Sequence, residues 1–299
     1  MKIIVLGSNG FIGNHLVDYL VTTGLYEVYK ADIHQDYSKK NYFIIDTFQS
    51  NFQSIFKANK FDVCINCTGA ADVTSSTSFT LRDFQLNTYN VACILDAIKL
   101  YNPECRFLNL SSAAVYGNPE KLPIRECYPL HPVSPYGFHK HMAELLCTEY
   151  STFFGLKCQS LRIFSAYGPG LKKQLFWDVY QKTKEFPKGF QMFGSGKESR
   201  DFIYITDLVR AIELIFIDTN VLEPVINIAS GIETPIYLAV HELANVLEFN
   251  IDKIEFCGES RATDPQNWKA DIENLKKLGF KPDYSLKNGL KEYAQWLEN

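Results

Sequence analysis

"KIIVLGSNGFIGNHL", residues 2–16, joins a short apolar run of strand composition to an amphipathic helical pattern through three glycines. Gly7, Gly10 and Gly13 are spaced G-x-x-G-x-x-G. At a strand–helix junction such glycines permit a tight turn and let backbone N–H groups come close to a pyrophosphate. The start of the following helix adds a partial positive charge at the same place. A glycine-rich loop alone is a weak signal, but one set directly between a strand and a helix points to dinucleotide binding.

Outward from this loop, Asp32 closes the next strand-like run, "EVYKADI" (27–33). An acid at that position accepts the hydroxyls of an adenosine ribose and repels a 2′-phosphate. The first basic residue after it is Lys39, so the expected cofactor is NAD rather than NADP. Asp46, at the end of "NYFIID", is expected either near the adenine or as the cap of the next helix.

Further runs of strand length and composition are "FDVCINC" (61–67), "CRFLNLSS" (105–112) and "KCQSLRIF" (157–164). Helical patterns lie between several of the runs, as in "LNTYNVACILDAIKLY" (86–101) and "SPYGFHKHMAELLCTEYSTFFG" (134–155). This alternation predicts a Rossmann-type α/β fold, a doubly wound parallel sheet covered on both faces. After "RIFSAYGPG" the pattern becomes irregular, which predicts a smaller C-terminal α/β lobe. The expected division is 1–165 with returning segments at about 200–232 for the cofactor domain, and about 166–199 with 233–299 for the substrate lobe.

Composition narrows the function classes. Hydrophobic residues make up 46% of the 299 residues, enough for a large core, and the net charge of −4 is spread without a basic patch. That leaves no electrostatic footprint for nucleic acid or an anionic membrane. No apolar run reaches the ~18 residues of a membrane span, and the first residues read as a strand rather than a secretion signal. A cytoplasmic location is the expectation. The eight cysteines follow no disulfide framework, and most sit inside apolar segments. Cys64 and Cys67 have redox or metal spacing, but they occupy a strand-like run and no second pair completes a zinc set. No metal is expected.

"SPYGFHK" (134–140) places Tyr136 and Lys140 four apart at the start of a helix, so both lie on one face. A fixed positive charge beside a phenol favours the phenolate. The pair therefore reads as a candidate general base, against the plainer reading of an exposed helix with a chance spacing.

Taken together, "GSNGFIG", "NCTGAADV", "FQLNTYN", "LSSAAVYG", "SPYGFHK", "LRIFSAYGPG", "GSGKESRDFIYITDLVRAI", "NIASG" and "RATDPQNWKADI" resemble the extended short-chain dehydrogenase/reductase superfamily. More narrowly, they resemble its NAD-dependent epimerase/dehydratase family, which acts on nucleotide sugars. The resemblance covers nearly the whole chain. It implies Ser112, Tyr136 and Lys140 as the catalytic set: Tyr136 as acid/base, Lys140 tuning it and holding the nicotinamide ribose, Ser112 bonding the reacting sugar oxygen. It implies cofactor contacts at Gly7, Asn9, Gly10, Phe11, Ile12, Gly13, Asp32, Asp46, Cys67, Thr68, Gly69, Ala70 and Asn87, besides Tyr136 and Lys140. It implies substrate contacts at Ser112, Ser165, Arg200, Arg261 and Asp264, the arginines suiting a diphosphate. For Arg200 the competing reading is a local salt bridge with Asp201. A homodimer is implied through the helices at about 84–101 and 136–153.

The chain departs from the family pattern at Phe164-Ser165, in "LKKQLFWDVYQK" (171–182), and at Trp268. A 4,6-dehydratase needs an acid–base pair right after the catalytic Ser or Thr, and here those positions are Ala113 and Ala114. The resemblance therefore implies a nucleotide-sugar 4-epimerase working with bound NAD through a transient 4-keto sugar. The alternatives are an NAD(P)H-dependent 4-keto-6-deoxyhexose reductase and, outside enzymes, a dinucleotide-binding regulatory protein.

Overall fold

Strand β1 (Lys2–Leu6) is apolar and almost wholly buried, as a strand covered on both faces of a parallel sheet must be. The computed structural model that contains it describes residues 1–34, 40–46, 50–218, 223–259 and 265–299. The chain divides into two units. The first comprises Met1–Gly117, Leu130–Ile163 and Ile212–Ile226.

In this first unit β1 leads through the glycine loop into helix α1 (Phe11–Thr23), which ends on Gly24 in the left-handed conformation. There follow β2 (Glu27–Asp32), β3 (Tyr42–Ile44), α2 (Phe52–Ala58) and β4 (Val63–Asn66). Two short helices, α3 (Val73–Ser78) and α4 (Thr80–Phe84), run through a π turn at Gln85–Tyr89 into α5 (Asn90–Tyr101). Then come β5 (Arg106–Ser112), α6 (Pro135–Phe154) and β6 (Cys158–Ile163). With β10 (Val225–Ile228) the sheet has seven strands in the order β10-β6-β5-β4-β1-β2-β3. Pairing is parallel at every junction from β6 to β3.

The strand order reverses between β1 and β4. In open parallel sheets the crevice outside such a reversal is where ligands bind, and the Gly7 loop and the loop after Asn66 both open there. The Cys67 N–H donates to the Leu6 carbonyl at 2.9 Å, which joins the two loops at their roots. One face of the sheet is packed by α2, α5 and α6 through Phe52, Phe56, Phe61, Ile94, Ile98, Phe107 and Ala143. Cys64, Cys105, Cys147 and Cys158 belong to the same core as small hydrophobes.

The second unit comprises Asn118–Pro129, Phe164–Ala211 and Asn227–Asn299. It contains β7 (Ser165–Tyr167), α7 (Gln174–Glu185), β8 (Phe190–Met192) and β9 (Ser199–Tyr204). Helix α8 (Ile205–Ile217) follows β9. After it come β11 (Glu233–Pro235), α9 (Ile236–Val246), β12 (Ile254–Phe256), α10 (Glu273–Lys277) and α11 (Leu286–Glu298). Strands β11, β9 and β7 form one small sheet, β12 and β8 another. Residues 118–129 and 200–211, placed by the sequence in the cofactor domain, fall in this unit: β9 pairs there with β7 and β11, and residues 118–129 are held through Asn227. Asn227 donates through Nδ2 to the Ile124 and Asp271 carbonyls at 2.9 and 3.2 Å. Its backbone N–H donates to Glu126 at 3.1 Å.

Candidate active site

The glycine loop is shaped by contacts that leave no room for side chains. Gly7 has φ +78°, and a Cβ there would lie 2.8 Å from the Cys67 carbonyl and the Thr68 nitrogen. Gly13 fits for a different reason: a Cβ would lie 2.1 Å from the Gly7 carbonyl oxygen. Gly10 precedes α1 and supplies no side-chain cap, so the N–H groups of the first turn are left for another acceptor. The Ser8 hydroxyl in the same loop is buried and has no hydrogen-bond partner among the described residues.

Asp32 is buried at the end of β2, beside the loop. Its Oδ2 accepts the Asn9 N–H at 2.8 Å and its Oδ1 the Ile33 N–H at 2.8 Å. A carboxylate has about four acceptor sites, so both oxygens keep capacity for a diol. Asn9 also donates through Nδ2 to the Tyr42 hydroxyl at 3.1 Å. Phe11 and Ile12 open α1. Asp46 lies beyond β3 and is exposed.

Across the reversal, Thr68 is fixed by Asn66, whose Oδ1 accepts from its N–H at 3.1 Å and its hydroxyl at 2.6 Å. Cys67, Thr68, Gly69 and Ala70 follow as an irregular loop. Gly69 has φ +115°, and a Cβ there would lie 2.4 Å from Asn87 Oδ1 and 3.5 Å from Lys140 Nζ. Asn87 sits in the π turn and is 1% exposed, yet its Oδ1 is unpaired among the described residues. An orphaned buried acceptor is rare. Together with the Ser8 hydroxyl and the glycine contacts, it makes a cradle that fits a dinucleotide.

The catalytic candidates converge on α6. Ser134 caps this helix, accepting the Gly137 N–H at 3.2 Å, and Pro135 occupies its first turn. Gly137 lets the helix touch the turn after β5, since a Cβ would meet the Ala114 carbonyl at 2.6 Å. That approach sets Tyr136 beside Ser112, whose hydroxyl favours the ionised phenol. The Tyr136 N–H also donates to the buried Ser76 hydroxyl at 3.2 Å. Ser112 Oγ accepts the Ala114 N–H at 3.2 Å. Its neighbour Ser111 points away and donates to Glu144 at 2.5 Å, which separates the roles of the two serines.

Tyr136, Lys140 and Glu144 recur at four-residue spacing on the buried side of α6. Glu144 forms a two-pronged buried pair with Arg162 of β6, with contacts of 3.0 and 2.7 Å. This clamps the helix to the sheet behind the site. Lys140 donates to the Leu110 carbonyl at 2.8 Å and lies 6.0 Å from the centre of the Tyr136 ring.

In the protein alone, the electrostatics run against the expected tuning of the phenol. Burial pushes the Tyr136 phenol up to about 12, only partly opposed by the Ser112 hydroxyl, with Asp83 raising it further. Burial pushes the Lys140 ammonium down to about 8. The lysine that was expected to lower the phenol instead engages a main-chain carbonyl. In the protein alone the phenol is therefore the protonated, acid form of the pair.

Sequence reading missed three residues here: Ser76, Asp83 and His139. Asp83 is buried, and its Oδ2 accepts from His139 Nδ1 at 2.6 Å while its Oδ1 accepts from Asn87 Nδ2 at 3.0 Å. Asp83 and His139 lie 56 positions apart in sequence, and the spacing of "SPYGFHK" singles out Tyr136 and Lys140, not the histidine between them.

The second unit holds Ser165 on β7 and Arg200 on β9, in strands that pair in parallel. Arg200 lies over the Trp268 ring at 5.3 Å and donates to the Ser199 carbonyl at 2.8 Å. The Asp201 carboxylate has its own partners: Ser230 N–H and hydroxyl, Gly231 N–H and Ala270 N–H, at 2.8–3.1 Å. Burial still pushes that carboxyl up to about 6. Neighbouring strand residues face opposite sides, so the local Arg200–Asp201 pair is not the arrangement found. Arg261 and Asp264 lie outside the described residues. Among the described residues no group of three or more His, Cys, Asp or Glu is placed to hold a metal ion. No described helix is long and apolar enough to cross a membrane.

Comparison with known proteins agrees with this geometry. The chain is 28% identical over 315 residues to a putative UDP-glucose 4-epimerase of Methanocaldococcus jannaschii, spanning 99% of this chain and 98% of the relative. It is 27% identical over 332 residues to UDP-glucose 4-epimerase of Lacticaseibacillus casei, spanning 100% and 97%. Its fold matches UDP-glucuronic acid 4-epimerase of Bacillus cereus, solved with UDP-glucuronic acid and NAD. The TM-score is 0.89 at 25% identity, covering 100% of this chain and 99% of that one. It also matches UDP-N-acetylglucosamine 4-epimerase of Methanobrevibacter ruminantium, with TM-score 0.86 and 27% identity over 99% and 98% of the two chains. The model of the NAD dependent epimerase/dehydratase family matches residues 3–229. With a family match over most of its length and a cradle that fits the cofactor, the chain belongs to the NAD dependent epimerase/dehydratase family.

Proposed function

We propose that the chain is a nucleotide-sugar 4-epimerase that keeps its NAD bound through the reaction. The observation that carries this reading is the Ser112–Tyr136–Lys140 constellation beside the glycine loop. Bound NAD supplies a hydride acceptor that returns the hydride to the same sugar carbon. Tyr136 takes the proton from the C4 hydroxyl and gives it back. Ser112 holds the reacting oxygen by a hydrogen bond. Lys140 donates to the nicotinamide ribose and supplies positive charge beside the phenol. Ala113 and Ala114 offer no group to carry a dehydration. Relatives named as 4-epimerases or putative 4-epimerases support the reading.

The same reading assigns the remaining contacts. The N–H groups of the Gly7–Gly13 loop, with Asn9, Phe11 and Ile12, receive the pyrophosphate. Asp32 takes the adenosine ribose and Asp46 lies toward the adenine. Cys67 to Ala70 and Asn87 line the nicotinamide side. Ser165, Arg200, Arg261 and Asp264 contact the nucleotide sugar. The test is a panel of UDP-, dTDP-, CDP- and GDP-sugars, with and without added NADPH. Interconversion of C4 epimers with no net use of nicotinamide nucleotide is the expected result. Product formed only with stoichiometric consumption of NADPH would make the protein a ketoreductase instead.

Asp32 sets the cofactor choice in this account. A 2′-phosphate would face a carboxylate already held by two N–H groups, and forcing like charges together is costly. NADH is expected to bind the wild type about tenfold or more tighter than NADPH, and Asp32→Ala to lose most of that preference. Equal affinities in the wild type would contradict the assignment.

We also place a homodimer contact on α5 and α6. Along α6, Phe138, Met142, Leu145 and Phe153 are exposed, Phe153 to 76%. Tyr89, at the end of the π turn, and Leu100, near the end of α5, are exposed too. A two-fold axis would pair these exposed side chains with their copies. Light scattering is expected to give a particle of twice 34.2 kDa, and a single-chain mass at micromolar concentration would rule the contact out. The eight free thiols, four of them buried, suit a reducing compartment and support a cytoplasmic location.

A further inference from the structure

We propose that Asp83 is a positioning residue that fixes the amide of Asn87 so that its Oδ1 is presented to the bound nicotinamide nucleotide. The argument starts from hydrogen-bond polarity. An ionised carboxylate only accepts. The Asn87 group facing Asp83 Oδ1 at 3.0 Å must therefore be the NH2, which turns the carbonyl oxygen the other way. That oxygen is the buried acceptor left without a partner, next to Gly69 and on the same side as Lys140. Its orientation is thus set by Asp83 and not by chance.

Asp83 is itself anchored. Its Oδ2 accepts from His139 Nδ1 at 2.6 Å, and the polarity rule requires that nitrogen to carry the hydrogen. His139 precedes Lys140 on α6, and its main-chain carbonyl accepts the Thr88 hydroxyl at 2.9 Å. Two bonds therefore tie α4 and the π turn to the helix that carries Tyr136 and Lys140. The π turn widens the helix where Asn87 must point inward, and such bulges recur at functional positions.

The same carboxylate bears on Lys140. The groups facing that ammonium are Asp83 from α4, Cys67 from the loop after β4, the Leu110 carbonyl from β5, and Glu144 and Tyr136 from its own helix. Burial lowers Lys140, and Asp83 is foremost among the charges that oppose this.

The inference rests on the NAD reading, and its test separates the two. NADH dissociation constants are measured for the wild type, Asp83→Asn, Asn87→Ala and the double variant, with folding followed by circular dichroism. Each single change is expected to weaken binding about tenfold, and, at acid pH where Lys140 is charged in every variant, the double variant to bind no more weakly than Asn87→Ala alone. In Asp83→Asn the loss of NADH affinity with rising pH should set in at lower pH, because the charge favouring the ammonium is gone. His139→Gln, which can still donate to Asp83, should bind NADH nearly as the wild type does. Should Asp83→Asn not fold, Asn87→Asp replaces the donor facing Asp83 with a second carboxylate and should weaken binding at neutral pH. Wild-type affinity in Asp83→Asn, or in Asn87→Asp, overturns the proposal. So does a loss that adds in full to that of Asn87→Ala, or a fall in His139→Gln as large as in Asp83→Asn, since either would mean a purely structural staple. A wild type that fails to bind NADH would instead sink the NAD reading itself.

Discussion

Tyr136→Phe is expected to turn over at least ~10²-fold more slowly than the wild type, the usual scale for a positioned acid/base, while still binding NADH. The substitution removes one oxygen and leaves the ring, whose position is held by the Ser76 bond to its N–H and by the Ser134 cap of α6. The glycine loop and Asp32 belong to other elements and are untouched. Steady-state rates on the true substrate and a fluorescence titration with NADH check the two halves separately. Since burial holds the phenol at about 12 in the protein alone, the proton is taken up by Tyr136 only once positive charge is gathered around it. A pH–rate profile of the wild type should therefore show an ionisation below that value, and Tyr136→Phe should lack it. A variant that turns over like the wild type would reduce the phenol to packing.

Gly13→Ala should weaken NADH binding at least ~100-fold and lower stability by about 1–3 kcal/mol. The added methyl has no allowed position, because it would sit 2.1 Å from the Gly7 carbonyl oxygen and 2.9 Å from its carbon. Neither is a flexible side-chain tip. The loop and the first turn of α1 would have to separate, and the N–H groups that face the pyrophosphate would move with them. Thermal unfolding and NADH titration read the two effects. Gly10→Ala is the control, since the nearest atom to its Cβ is the same oxygen at 3.3 Å, and it should be the milder change. Equal effects from the two would mean that helix–strand contact is not what Gly13 provides.

The parts of the site legible in the sequence are those encoded by local spacing. Three glycines between a strand and a helix, an acid at the end of the next strand, and Tyr136 with Lys140 one turn apart all depend on neighbours in the chain. The succession of strands and helices along the first part of the chain followed from the same local patterns. Asp83 and His139 were illegible because the pair spans 56 positions and neither residue type signals such a partner. Ser76 was hidden in a run of serines and threonines whose helical turns are too short to show a period. The π turn adds a residue that a 3.6-residue pattern cannot register. The direction of the Tyr136 shift was missed because spacing gives adjacency, whereas burial and the Leu110 carbonyl decide what the adjacency does. For Arg200 the sequence left a local pair with Asp201 open as the competing reading, and the strand, which sends neighbours to opposite faces, does not form it.

The central claim is reversible removal of the C4 hydrogen as a hydride that never leaves the protein. It is tested most directly with a nucleotide sugar carrying deuterium at C4, turned over in ordinary water with no added cofactor. The account predicts that the C4 epimer forms with the label still on C4 and that no free NADH accumulates. Loss of the deuterium to solvent, or an epimer that appears only as NADPH is consumed, would contradict it.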